Sequence, residues 1–249
     1  MNRSLAQAPY PWLCAHRGLS HACPENTLPA FGAAIAVGVH EIEFDLWMSE
    51  DGVAVVCHDP KVDRTTSGTG RVTEMAWEEI CQLDAGVGYG DVWQGVRVPR
   101  LEEILDLVDG RVGMNIHIKD GGPDGELVKL VCDLLREREP VDGTYLALGQ
   151  DLELALARSY APEITRACLR GQHDPDEQIE KALAYDCKRI QFGRTVREDQ
   201  IRKAQEAGLI CNVFWADELD DALKFVDQGV DVILTNAAHV LIAGGFSTV

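Results

Sequence analysis

The sequence predicts an α/β protein, a (β/α)8 TIM barrel with a β-hairpin and a small insertion after its second strand. Three observations carry this. From Arg100 to Leu234, short β-branched runs alternate with amphipathic helical stretches. Two further strand-like runs at Trp12 and Glu41 bring the strands to eight. Alternation of this kind favours a parallel sheet, and eight units in 249 residues fit one closed barrel spanning 1–249.

Taken in order, Trp12–Ala15 is a short apolar run that delivers His16-Arg17-Gly18 to a loop. Leu28 to Gly38 reads as a helix, with Asn26 or Thr27 as N-cap and Gly38 as its stop. Glu41 to Asp59 is the stretch around which the chain is organised. Its first half alternates Glu41, Glu43 and Asp45 with Ile42, Phe44 and Leu46, so Glu43 and Asp45 share one face of a strand. Asp51-Gly52 is a hairpin-turn signal. Folding back there puts Trp47 near Val55 and Asp45 near Cys57, which brings His58 beside the two carboxylates. Residues 60–99 are long for a connection and rich in Gly, Thr and Asp, with one short helical stretch near Glu74–Leu83.

The regular part follows. Helices are expected at Leu101–Val108, Asp124–Arg138, Leu152–Tyr160, Pro175–Tyr185, Val196–Ala207 and Glu218–Gln228. Between them lie strands at Gly113–Ile118, Thr144–Leu148, Ile164–Ala167, Arg189–Phe192, Ile210–Phe214 and Val230–Leu234.

Composition narrows the function. A net charge of −18 argues against nucleic acid or an anionic membrane as partner, so a phosphate ester would need a local cationic pocket or a metal. Eight scattered cysteines, none in Cys-x-x-Cys pairs, read as free buried thiols in a reducing compartment. The first ten residues lack a signal-peptide core and no apolar run reaches about 18 residues, so a cytoplasmic protein without a membrane span is expected. A homo-oligomer is compatible with the sequence.

In barrels of this kind the active site lies at the C-terminal ends of the strands. Those ends offer His16 and Arg17, then Glu43 and Asp45, then His58 on the hairpin return. His117 and Lys119 follow, two apart on one strand face, and Trp215 stands after the seventh strand. Two carboxylates on one buried strand face repel unless a cation sits between them. With imidazoles nearby, the pattern points to metal-assisted acid–base chemistry.

His16-Arg17-Gly18, Pro24-Glu25-Asn26-Thr27, Glu43-x-Asp45, Asp51-Gly52, His58-Asp59 and Arg64-Thr65-Thr66, in this order and spacing, resemble the glycerophosphodiester phosphodiesterase family. Later landmarks (113–119, Trp215, and Gly229-Val230-Asp231 leading to Leu234-Thr235) extend the resemblance over nearly the whole chain. It implies an enzyme of lipid metabolism that uses one divalent cation to hydrolyse a small glycerophosphodiester to an alcohol and glycerol 3-phosphate. It implies His16 and His58 as the acid–base pair, and Glu43 and Asp45 as metal ligands. Arg17 and Lys119 would face the phosphate, and Trp215 would pack on the glycerol or leaving group. The nucleophile is water, or the substrate's own glycerol hydroxyl by way of a cyclic phosphate.

The chain departs from the family pattern twice. His117 stands where a third carboxylate ligand is usual. As a ligand it would shift the preference from Mg or Ca, the family's ions, toward Mn, Co or Zn. Thr235-Asn236 stands where Thr-Asp is common, and Asn236 is expected to cap the last helix. Two other readings share this barrel: a different phosphodiester substrate or a cyclising lyase, and a degenerate barrel that binds a phosphorylated ligand without turnover. Two positioned imidazoles argue against the second.

Overall fold

The computed structural model describes residues 9–138 and 143–246. Eight parallel strands form the barrel: β1 (Trp12–His16), β2 (Glu41–Met48), β4 (Gly113–Ile118), β5 (Tyr145–Leu148), β6 (Arg166–Cys168), β7 (Arg189–Gly193), β8 (Ile210–Phe214) and β9 (Val232–Thr235). β1 pairs with both β2 and β9, which closes the cylinder. β3 (Ala54–Val56) runs antiparallel to β2 as the return arm of the hairpin. Gly52, at φ +85°, supplies the left-handed residue that this tight turn needs. The register places Trp47 opposite Val55, and the Cys57 amide donates to the Asp45 carbonyl at 3.0 Å, as the hairpin signal predicts.

Helices α1 (Leu28–Ala36), α3 (Leu101–Val108), α4 (Glu126–Arg138), α5 (Asp151–Tyr160), α6 (Pro175–Ala184), α7 (Glu198–Glu206), α8 (Leu219–Asp227) and α9 (Ala238–Ala243) cover the outside. Their apolar stripes (Ile104, Val131 and Ile201 among them) bury against the outer strand faces to form one continuous core. Helix ends differ from the sequence reading by one or two residues. The α1 N-cap is Thr27, but its hydroxyl donates to the Pro24 carbonyl and caps no amide.

Residues 60–99 hold a short helix α2 (Trp77–Ile80) and single turns. Val62, Val72, Ile80 and Val98 pack with Val55 and Cys57 into a small second core on the hairpin. The insertion is therefore fastened to the return arm of the hairpin whose first strand carries the two carboxylates.

The barrel interior near the N-terminal ends of the strands is closed by polar groups. Glu41 pairs with Arg189 at 2.7 Å and accepts the Tyr145 hydroxyl at 3.0 Å, all three buried. The acid that shares a strand face with Glu43 and Asp45 is thus spent on structure. All eight cysteines are free, and Cys81 departs from the expectation of buried thiols by being partly exposed. Among the described residues, no helix is long and apolar enough to cross a membrane. The reading of the extreme N-terminus falls mostly on residues 1–8, outside the described range.

Candidate active site

The barrel geometry gathers the charged strand ends. His16 ends β1 directly opposite Glu43 on β2, and Asp45 lies directly opposite His117 on β4. Since side chains two apart share a face, Glu43 and Asp45 project together, as do His117 and Lys119. One oxygen or nitrogen each from Glu43, Asp45 and His117 lies within 4.8 Å of the others. His117 reaches Asp45 from Nδ1 at 3.1 Å, and Lys119 Nζ is 3.5 Å from the same oxygen. The other Asp45 oxygen accepts from Asn26 at 3.1 Å and meets Arg17 Nε at 3.5 Å. Asn26, a cap candidate on sequence grounds, instead serves the site.

The two carboxylates are buried alike, and their surroundings push them in opposite directions. Burial, then the charge of Asp45, pushes Glu43 well above the usual carboxylate range. Burial works to raise Asp45 too, but the His117 hydrogen bond and the Lys119 charge override it and hold Asp45 well below that range. Burial lowers the pKa of His117, which favours the neutral imidazole that a metal ligand requires. Two oxygens and a neutral nitrogen around a carboxylate pair form a donor set that fits a divalent cation.

His16 adjoins this trio, and His58 is linked to it through other side chains. His16 is buried, with Nε2 3.8 Å from Glu43 and Nδ1 2.7 Å from Asn236 Oδ1. Burial, followed by the Arg17 charge, pushes it down to about 4. His58, half-buried after β3, holds Asp59 through Nδ1 at 2.6 Å. Asp59 is in turn held down to about 2, chiefly by the Arg64 hydrogen bonds.

Arg64 has a wider reach. It bonds Asp59 through Nε (2.6 Å) and Nη2 (3.3 Å), and both Glu25 oxygens through Nη1 (2.9 Å) and Nη2 (2.7 Å). Glu25 also accepts from Arg17 Nη1 at 3.0 Å, and the Arg17 backbone amide donates to Glu43 at 3.0 Å. One guanidinium on the insertion thus ties the loop after β1 to the loop after β3.

The sequence-predicted residues mostly converge. His16, Arg17, Glu43, Asp45, His117 and Lys119 form one contact network, and His58 joins it through Asp59, Arg64 and Glu25. Trp215 does not join it: it is 38% exposed at the rim, its ring tilted against that of Phe214. Phe214, which sequence reasoning passed over, packs edge-on against His16 with ring centroids 4.9 Å apart. Asn236 departs from the expectation of a cap. Ala237 is the N-cap residue of α9, and Asn236 instead turns its side chain to His16 and Asp217.

Comparison with known proteins bears on this arrangement. Residues 16–240 match the sequence model of the glycerophosphoryl diester phosphodiesterase family. A glycerophosphodiester phosphodiesterase from Caldanaerobacter subterraneus is 31% identical, over 92% of this chain and 95% of the relative. Among solved structures, a glycerophosphodiester phosphodiesterase from Agrobacterium tumefaciens superposes with a TM-score of 0.81 at 30% identity, covering 93% of this chain and 99% of its own. An Oleispira antarctica phosphodiesterase, solved in complex with the product sn-glycerol-3-phosphate, superposes with a TM-score of 0.84 at 26% identity, covering 94% and 96%.

Proposed function

Because this chain belongs to the glycerophosphoryl diester phosphodiesterase family and hydrolyses glycerophosphodiesters, we propose that it works with one divalent cation held by Glu43, Asp45 and His117, and with His16 and His58 as its proton-transferring pair. The observation that carries this reading is the trio of donors within 4.8 Å, two buried carboxylates and the part-buried His117, with His16 3.8 Å from Glu43 and His58 tied to the same network through Asp59. Two buried carboxylates side by side repel each other and lack solvent, and a cation between them removes both costs.

A bound divalent ion would supply Lewis-acid stabilisation of the phosphoryl oxygens and of the charge that develops on them. The chain's own groups do the rest. Arg17 and Lys119 draw the monoanionic diester into the pocket and share its charge. One imidazole takes the proton of the attacking hydroxyl, and the other gives one to the leaving alcohol, each from a fixed ring nitrogen. Asp59 orients His58 by accepting its Nδ1–H, so Nε2 is the nitrogen free to work. Trp215 offers an exposed apolar face at the rim for the glycerol or the head group. The product bound to the Oleispira relative supports glycerol 3-phosphate as the product here.

The test is turnover of glycerophosphocholine and glycerophosphoethanolamine by chelator-stripped protein, with Mg, Ca, Mn, Co and Zn restored one at a time. Metal-dependent release of glycerol 3-phosphate is expected, with Mn, Co or Zn favoured through His117. His58→Ala is expected to abolish turnover and keep the fold. Metal-independent turnover in the stripped protein, or wild-type rates in His58→Ala, would refute the corresponding half of the reading.

A further inference from the structure

We infer that Asp217, acting through Asn236, locks His16 in the tautomer with its proton on Nδ1 and a free lone pair on Nε2, and is thereby a positioning residue for the reaction. The inference rests on the reading of His16 as a proton-transfer group, and deepens it.

The chain of bonds determines each hydrogen in turn. Asp217 follows β8, and Asn236 is the first residue after β9, so the barrel sets two adjacent strand ends side by side. One Asp217 oxygen accepts the Asn236 backbone amide at 2.7 Å and the Thr235 hydroxyl at 3.0 Å. The other lies 2.8 Å from Asn236 Nδ2. A carboxylate only accepts, so the amide edge facing Asp217 must be the NH2. The carbonyl edge of Asn236 must therefore face His16, whose Nδ1 is 2.7 Å away. A carbonyl oxygen has no hydrogen to give, so the shared proton sits on Nδ1. A reversed amide would set oxygen against carboxylate and NH2 against a ring nitrogen stripped of its proton.

The neighbours do not undo this. Ser20 Oγ lies 2.8 Å from the His16 carbonyl and 3.1 Å from Asn236 Oδ1, and its single rotatable hydrogen can be donated to either oxygen, so it accommodates the carbonyl edge of Asn236. Phe214 fixes the plane of the ring without a polar contact. Nε2 points toward Glu43 at 3.8 Å, beyond hydrogen-bonding distance, and so keeps its lone pair. A neutral imidazole in this tautomer can begin only by accepting a proton at Nε2.

The direct readout is the tautomer itself. In full-length protein labelled with 15N-histidine, held at pH 7.5 with Mg, a long-range proton–nitrogen correlation spectrum distinguishes a protonated ring nitrogen from a bare one. His16 is assigned by its loss in His16→Gln. The wild type is expected to show Nδ1–H and a bare Nε2. Asp217→Asn, which can present either edge to Asn236, is expected to mix the tautomers. It should lower kcat by about 10- to 100-fold, with KM within about twofold, as fits loss of orientation in a general acid–base group. Combining Asp217→Asn with Asn236→Asp again pairs an amide with an acid and returns an obligate acceptor to His16. It is expected to restore Nδ1–H and recover most of the lost turnover.

A wild-type spectrum showing Nε2–H would overturn the inference without any variant. So would an Asp217→Asn protein that keeps Nδ1–H undiluted. A shifted tautomer with unchanged turnover would leave the lock standing and sink the proton-transfer role of His16.

Discussion

Removing the Arg64 side chain should injure catalysis far more than stability. Arg64 makes four charge-assisted contacts at 2.6–3.3 Å, two to Glu25 and two to Asp59. Its side chain is 48% exposed, so solvent screens these pairs, and Arg64→Ala should cost only about 1 kcal/mol. In a chain of this size that corresponds to a Tm lower by about 2–4 °C. The catalytic consequence follows from what the two carboxylates hold. Glu25 grips Arg17 at 3.0 Å, and Asp59 grips His58 at 2.6 Å. Each loses its second anchor, so a phosphate-facing cation and a proton-transferring imidazole both gain freedom. A displacement near 1 Å is worth about 100-fold in rate, which sets the expected loss in kcat. KM should rise several-fold through Arg17. Arg64→Lys should rescue little, since one ammonium cannot span both carboxylates as the fork does. The assay is steady-state turnover of glycerophosphocholine beside a thermal melt. Turnover within about threefold of wild type would refute the clamp, and a Tm loss beyond about 10 °C would make Arg64 a structural residue instead.

Two further outcomes are expected. His117→Glu should restore a hard, all-oxygen ligand set, so calorimetry should find Mg or Ca bound more tightly and Mn, Co or Zn relatively less favoured; an unchanged metal order would remove His117 from the ligand set. Glu153, buried where α5 begins and bonded to the Gly121 amide at 2.8 Å, is pushed up to about 7 by burial. It ionises later in the folded chain than in the unfolded one, so its contribution is whole below about pH 4.5 and falls away as pH rises toward 7. A shift of this size amounts to about 3 kcal/mol. Glu153→Gln should therefore match wild type in urea unfolding near pH 4 and exceed it by up to that amount at pH 8. Equal stability at pH 8 would show that Glu153 ionises normally.

Local signals were readable in the sequence, and long-range pairings were not. The Asp51-Gly52 turn fixed the register of Trp47 against Val55, and the alternation of Glu43 with Asp45 fixed their shared face. Both are contacts within a few residues, set by backbone geometry. The same alternation put Glu41 on that face too, and nothing nearby reveals that Arg189 claims it. Asn236 meets His16 across 220 positions, and its role depends on Asp217, 19 positions away on another strand end. A helix start was the only local reading of Asn236, just as it was for Asn26. Likewise Phe214 and Trp215 are both aromatic at a strand end, and only the path of the backbone shows which of them meets the imidazole.

The place of His117 is best argued from charge. Around the trio stand three cations (Arg17, Arg64 and Lys119) and four carboxylates (Glu25, Glu43, Asp45 and Asp59), linked by the contacts above. With the imidazoles neutral and all four carboxylates ionised, as a cation bound between Glu43 and Asp45 would favour, the side chains together carry one negative charge in excess. A divalent ion held by Glu43, Asp45 and His117 would turn that into one positive charge, which matches a monoanionic diester. A carboxylate in place of His117 would leave the loaded site neutral and forfeit that attraction. It would also add a repelling charge as negative charge grows on the phosphoryl oxygens. The imidazole therefore yields some grip on a hard cation and gains attraction for the substrate. For His117→Glu, tighter Mg binding should come with a higher KM, and the two effects should move together because one unit of charge causes both.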